Sequence, residues 1–268
     1  MEYDPIKDKF GGFFNKTPMF RKVFYNLLDL LLLRTWHVHK DLRAWMKQHP
    51  DSADILDAGC GFGQYSYYLA KQNKNYKILA VDVKEDYLAD CRKFFGEVGL
   101  NNVVFQVEDL VKFQNPESYD LIISVDVMEH ILEDVTVFEN FYASLKPGGM
   151  LIINTPSDQG GSDVHGEGEA SFIGEHVRDG YNKEDITIKL QSAGFTNIKP
   201  RYTYGGPGKI SWRLSMKYPM QMLNKSFAFA VILPFYYLAA YPVSFVLNYF
   251  DTYNDHKTGT GLTVNAWK

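Results

Sequence analysis

The chain is poor in cysteine: it has two, Cys60 and Cys91. Two thiols cannot build a disulfide framework, nor a zinc site by themselves, and they point to a reducing, cytoplasmic setting. An excess of positive charge is also missing. The formal net charge is −4, which argues against a nucleic-acid partner. The opening Met-Glu-Tyr-Asp-Pro carries acids and lacks the apolar core of a signal peptide. There are no internal repeats or low-complexity tracts, and 46% hydrophobic content excludes a disordered chain. The leucine cluster at 27–33 is short and interrupted by Asp29, so it reads as an amphipathic helix face and not as a membrane span.

What is present is a regular alternation. Residues 18–48 read as helical, with Pro50 closing the segment. Strand-like runs follow at 55–58, 77–83, 103–107, 119–127 and 150–154. Helix-like runs at 65–71, 86–95 and 133–145 lie between them. A further helix is expected at 183–193, with Gly194 ending it, and two final strands at 195–204 and 262–267. Near-continuous apolar strands separated by helices imply a parallel sheet covered on both faces.

The densest chemical information lies in Ile55-Leu-Asp-Ala-Gly-Cys-Gly-Phe-Gly-Gln-Tyr65. An apolar strand ends in Asp57, and glycines follow at Gly59, Gly61 and Gly63 before a helix begins. Such a turn lets the backbone approach a ligand and aims free helix N–H groups at it. The third glycine lies two residues after the second, where the dinucleotide fingerprint needs three, so a dehydrogenase is disfavoured. Further acids close later strands: Asp82 in Ala-Val-Asp-Val and Asp109 in Gln-Val-Glu-Asp-Leu. Lys146-Pro-Gly-Gly149 then turns into the fifth strand.

In this order and spacing the segments resemble the class I S-adenosylmethionine (SAM) methyltransferases of the type 11/12-like group, whose first motif is Asp-x-Gly-x-Gly-x-Gly. The resemblance implies an α/β fold: a Rossmann-like, seven-stranded methyltransferase sheet with helices on both faces. It implies SAM as cofactor, held by Asp57, Gly59, Gly61, Gly63, Asp82, Asp109, Val125 and Asp126. Asp57 would order the glycine turn and face the cationic methionine amino group. Asp82 would accept from the ribose hydroxyls, Asp109 would take the adenine amino proton, and Val125 and Asp126 would flank the cofactor.

Ser124-Val-Asp-Val-Met-Glu-His130 lies beyond the carboxyl end of the fourth strand, where open α/β sheets place their chemistry. His130 is the leading candidate for a general base, because its ordinary pKa suits neutral pH, with Glu129 beside it. The alternative is that Glu129 and His130 only open the next helix. The segment also resembles the Glu-x-x-Glu-His motif of ubiquinone-biosynthesis O-methyltransferases, in which these groups bind a divalent cation. Asp126 stands here for the first Glu, giving Asp126, Glu129 and His130 as a metal set and Mg²⁺ as the ion its oxygen ligands would favour. His165 and His176 lie in the glycine-rich stretch 157–180. In the family that region covers the acceptor, so both are further catalytic candidates, and the alternative is a solvated loop.

Residues 206–259 separate two strands that the family joins by a tight hairpin. Ser226 to Phe250 contains no charged residue, and no Asp or Glu occurs from Gly206 to Phe250. A single crossing would strand the last strand beyond the bilayer, and Pro234 and Pro242 are expected to break the segment into short pieces. Lys209, Arg213, Lys217 and Lys225 recur at multiples of four and are expected on one helix face. A basic face beside an apolar, aromatic segment fits a peripheral anchor on an anionic membrane surface; the alternative is a roof over the acceptor pocket.

The expected organisation is an N-terminal helical cap at 1–49, a SAM-binding core at 50–205, a hydrophobic insertion at 206–259 and the last strand at 260–268. The expected activity is methyl transfer from SAM, to an oxygen of a lipophilic small molecule such as a prenylated aromatic, quinone precursor, polyene or fatty acid. The expected place is the cytoplasm, peripheral at the inner face of the membrane. Two alternatives stand beside it: a soluble small-molecule methyltransferase whose insertion is a lid or dimer element, and a membrane-associated SAM-binding protein without turnover. The oligomeric state is not legible.

Overall fold

The computed structural model describes residues 17–160 and 177–268. Seven strands form one sheet: β1 (Ala53–Ala58), β2 (Tyr76–Asp82), β3 (Val103–Val107), β4 (Tyr119–Val125), β5 (Leu145–Pro156), β6 (Thr196–Thr203) and β7 (Gly261–Trp267). Their order across the sheet is β3-β2-β1-β4-β5-β7-β6. The first five run parallel, and β7 is antiparallel to both β5 and β6.

Because strand side chains alternate in direction, each central strand feeds two cores. Leu56, Ile122, Leu151 and Ile153 meet Val137, Phe138, Phe141, Ile186 and Leu190 on one face. Those helix residues belong to α5 (Asp134–Ser144) and α6 (Lys183–Ser192). Ile55, Leu121, Ile123 and Ile152 meet Val38, Leu42, Leu69, Leu88 and Phe95 on the other. Here the covering helices are α1 (Pro18–Leu31), α2 (Leu33–Met46), α3 (Gln64–Gln72) and α4 (Glu85–Glu97). The expected covering on both faces is therefore present.

Two expectations are corrected. The segment expected as one helix at 18–48 is two helices, because Leu32 adopts extended backbone between them. The insertion is not broken into short pieces. After α7 (Gly206–Trp212), a π turn at Arg213–Lys217, α8 (Tyr218–Lys225) and a 3₁₀ turn at Phe227–Val231, it ends in one long helix, α9 (Leu233–Tyr253). Pro234 sits in the first turn of α9, where its missing N–H costs nothing. Pro242 lies inside, and the carbonyl four residues back, which it leaves without an N–H partner, belongs to the exposed Leu238. The π turn also disturbs the four-residue basic period, so Lys209, Arg213, Lys217 and Lys225 do not share one continuous α-helical face.

The insertion is tied to the cap by polar groups. The Asp251 carboxylate of α9 is fully buried. It accepts from the backbone N–H of Tyr204 at 3.0 Å and of Gly208 at 2.9 Å. His37 Nε2 of α2 lies 2.9 Å from it, and His256 Nε2 3.2 Å. Lys40 donates to the Thr252 carbonyl at 2.7 Å. Arg201 of β6 grips Asp41 of α2 with two bonds, at 2.9 and 2.6 Å. Among the described residues, no helix is long and apolar enough to cross a membrane.

Candidate active site

The carboxyl ends of β1, β2 and β4 converge on the glycine turn. The N–H groups of Gly59 and Cys60 both donate to the Val81 carbonyl, at 2.8 and 2.9 Å, which fastens the turn to β2. Gly59 has φ +80°, and a Cβ there would come within 2.3 Å of a Val127 methyl. Gly61 has φ +49°, and a Cβ there would meet nothing within 4 Å. The first glycine is thus required by close packing, and the second leaves its backbone open to a ligand. Gly63 caps α3.

The acids lie around this turn. Asp82 Oδ2 accepts from Gly61 N–H at 2.9 Å, and Oδ1 from Lys84 N–H at 3.0 Å. Each carboxylate oxygen keeps a further lone pair, so Asp82 is held rigidly and can still accept. Asp57 is only 3% exposed. Ser66 Oγ of α3 donates to it at 2.6 Å. Burial pushes the Asp57 carboxyl up to about 7, with the Ser66 bonds pulling it down and the charge of Asp82 adding to the rise. Asp109 is more open: its carboxylate caps a turn by accepting from Val111 N–H at 3.0 Å and pairs with Lys112 at 3.3 Å.

Beyond β4, Val125 is the last strand residue and Asp126 turns the chain with φ +53°. The Asp126 N–H donates to the Asn154 carbonyl at 2.8 Å. Its carboxylate forms an ion pair with Arg34 of α2. Glu129 and His130 occupy a 3₁₀ turn, Met128–His130. Glu129 is 1% exposed, accepts from Thr155 Oγ1 at 3.1 Å, and its backbone carbonyl accepts from Val177 N–H at 3.1 Å. His130 is half-buried. The Asp126–Glu129–His130 metal set does not assemble: Asp126 is engaged by Arg34, Glu129 is sealed against Thr155, and no group of three His, Cys, Asp or Glu able to hold an ion occurs among the described residues. His165 and His176 lie outside the described residues.

A family model described as a methyltransferase domain matches residues 49–198. The chain belongs to the class I SAM-dependent methyltransferase family. Its sequence is 29% identical over 119 residues to malonyl-[acyl-carrier protein] O-methyltransferase 2 of Ilyobacter polytropus, covering 44% of this chain and 45% of that protein. It is 28% identical over 125 residues to the ubiquinone biosynthesis O-methyltransferase of Rickettsia akari, covering 46% of this chain and 48% of the relative. The chain thus spans about half the length of these curated relatives or less. Among solved structures, phosphoethanolamine N-methyltransferase 2 of Haemonchus contortus in complex with SAM matches with a TM-score of 0.59 at 20% identity. That match covers 86% of this chain and 52% of the other, and it speaks for the fold alone.

The donor set of this methyltransferase domain fits SAM. The open backbone at Gly61 and the carboxylates of Asp57, Asp82 and Asp109 suit a ligand that is cationic and rich in hydroxyl donors and carries no phosphate. Several contributors were not found from the sequence. Arg34 and Ser66 are single polar residues in helices and carry no motif. Arg21 and Tyr25 of α1 are four apart and therefore share a helix face, which is a signal. Arg21 Nη2 donates to the Phe62 carbonyl of the glycine turn at 2.9 Å, and the Tyr25 hydroxyl donates to the same oxygen. Gln64, at the start of α3, donates to Asp29 of α1 at 2.7 Å. The first helix therefore holds the glycine turn on both sides of Gly63.

Proposed function

We propose that this protein transfers a methyl group from SAM to an oxygen of a lipophilic small molecule, which it meets at the cytoplasmic face of an anionic membrane. The observation that carries the lipophilic and membrane parts of this reading is the orientation of α9. It buries Ser244, Asn248, Asp251 and Thr252 and exposes Phe235, Leu238, Val243, Phe245, Val246, Tyr249, Phe250 and Tyr253. A helix with polar residues inside and apolar residues outside has its greasy face unburied. The four charged residues from Gly206 to Phe250 are all basic, which favours an anionic surface. The printed names of two relatives, both O-methyltransferases, support oxygen as the acceptor atom. Two free, buried cysteines support a reducing compartment.

SAM supplies, when bound, a methyl group activated on a sulfonium. The residues that would hold it are Asp57, Asp82 and Asp109, with the backbone at Gly61 and with Val125 and Asp126 at the reacting end. Burial keeps Asp57 partly protonated near neutral pH, so a cationic amino group beside it would draw out that proton and form a charged pair away from water. His130 would accept the acceptor hydroxyl proton at a ring nitrogen. Glu129 would act only indirectly, by fixing the turn that carries His130.

The test is transfer of radiolabel from methyl-labelled SAM into the solvent-extractable fraction of membranes. Asp82→Ala should weaken SAM binding about 10- to 100-fold, the effect of losing a charged acceptor worth roughly 1.5–3 kcal/mol, as read by titration calorimetry. His130→Ala should lower kcat by about 10²–10⁴-fold with SAM affinity retained. Label confined to water-soluble products would favour a soluble acceptor with the insertion as lid. SAM binding without transfer to any fraction would favour a non-catalytic binding protein.

A further inference from the structure

We infer that α1 and α9 form one continuous docking face for an anionic lipid bilayer, and that α1 couples docking to SAM binding through its hold on the glycine turn. The inference deepens the membrane reading above and rests on it.

The first helix, like α9, leaves an apolar side exposed, although Tyr25, Phe24 and Leu28 pack on the core beneath it. Its buried residues are Arg21 and Tyr25. Its exposed ones include Met19 (74% exposed), Phe20, Val23, Leu27 and Leu30. Positions 19, 23, 27 and 30 follow a helical period, so they line one side. Its single acid, Asp29, is half-buried and accepts from Gln64 at 2.7 Å, while Lys22 is exposed. Trp36 joins the two helices: its indole N–H donates to the Leu30 carbonyl at 3.3 Å, and its ring meets Phe245 edge-on with centroids 5.0 Å apart. An apolar strip thus runs from α1 across Trp36 onto α9.

Charge selects the occupant. Lys22 of α1 and Arg213 and Lys225 of the insertion are exposed, and no acid occurs from Gly206 to Phe250. Exposed apolar and aromatic side chains, on elements whose exposed charges are basic, match the interface of an anionic bilayer.

The coupling follows from what lies under α1. Arg21 donates to the Asp90 carbonyl at 3.0 Å and lies 3.1 Å from Cys91 Sγ, both in α4, besides its bond to Phe62. Any surface that fixes α1 therefore fixes the peptide between Gly61 and Gly63. Two ligands that favour the same ordered turn bind with reciprocal coupling. Arg21 and Tyr25 are positioning residues in this scheme: they touch the turn and not the reacting atoms.

The experiment measures SAM affinity of the full chain by calorimetry, with vesicles of phosphatidylglycerol and phosphatidylcholine, with pure phosphatidylcholine vesicles, and without vesicles. Anionic vesicles should tighten SAM binding about 10-fold, and SAM should tighten vesicle binding by the same factor. The triple variant Met19→Ser, Val23→Ser, Leu27→Ser should keep the vesicle-free SAM affinity and lose the enhancement. Tyr25→Phe should still sediment with vesicles but show a smaller enhancement, with circular dichroism confirming its fold. Sedimentation with anionic vesicles at unchanged SAM affinity would overturn the coupling and leave the membrane reading standing. Failure to sediment with either vesicle would overturn both. A concentration-dependent dimer that the triple variant dissociates, in the absence of vesicle binding, would assign the face to a second copy and overturn the inference.

Discussion

The sheet and the insertion are built on opposite plans. In the sheet, Leu56, Ile122 and Ile153 are fully buried under Phe138 and Phe141. The helices there turn their apolar sides inward, and the apolar surface removed from water stabilises the domain. In α9 the inward side is Ser244, Asn248, Asp251 and Thr252, and the apolar side faces out. The sheet is held by the hydrophobic effect, whereas the junction of α9 with α2 and α7 is held by charged and polar bonds around Asp251. The difference teaches where each region expects its solvent. In α9 the internal bonds are made by the Asp251 carboxylate and by Asn248 Oδ1, which accepts from Ser211 at 2.5 Å, while the apolar residues stay exposed.

The largest effects should come from the two anchors of these plans. Phe138→Ala in α5 should cost about 3–5 kcal/mol of unfolding free energy, by lost burial and a cavity. Asp251→Ala should cost a similar amount, about 3–5 kcal/mol, because His37 and the Tyr204 and Gly208 N–H groups lose their buried partner. Urea unfolding compares them. If Asp251→Ala proves neutral while Phe138→Ala does not, polar bonding does not hold the insertion.

The next effect concerns Asp57, the one buried acid of the glycine turn's strand. Its folded-state pKa of about 7 lies above the ordinary carboxylate value, so the folded chain binds its proton more tightly than the unfolded chain. Stability without SAM should be greatest below the ordinary value and fall as pH rises toward 7, by up to about 4 kcal/mol. Asp57→Asn should flatten that dependence. A wild-type chain and an Asn variant with parallel stability–pH curves from pH 4 to 8 would show that Asp57 is ionised throughout.

The smallest effect is expected where a core would show a large one. Leu238→Ser, at a position 75% exposed, should change stability in vesicle-free buffer by no more than about 0.5 kcal/mol. The same change should weaken sedimentation with anionic vesicles. A loss of several kcal/mol in buffer would mean that the outer side of α9 is packed within the protein's own assembly, and the contrast with the sheet would fail.

Much of the domain was legible before any coordinates. The alternation of apolar strands and helices located the seven strands to within about two residues, except that β5 begins at Leu145 and takes in the Lys146–Gly149 stretch expected as a turn; the central strands β1, β4 and β5 were clearest because burial on both faces demands near-continuous apolar runs. The glycine turn after β1 was legible because a sharp, backbone-lined turn allows few residue types, and Asp57, Asp82 and Asp109 stand at or just beyond the carboxyl ends of their strands, as their place in the sequence implies. The candidate metal set was misread because sequence spacing ignores competition: Arg34 engages Asp126 and Thr155 engages Glu129 across the fold. The length of α9 was misread because Pro234 and Pro242 act as breakers only where their N–H is needed.

By itself, the sequence determined the sheet, the cofactor turn and the absence of acids from Gly206 to Phe250, since all three depend on local pattern and composition. Only the tertiary structure decided which way α1 and α9 face. Helical periodicity separates a polar side from an apolar side but does not say which one meets the protein. That choice was made by partners remote in sequence, Phe62 for Arg21 and Tyr25 and His37 for Asp251, whose buried polar groups had to be satisfied before an apolar face could be covered.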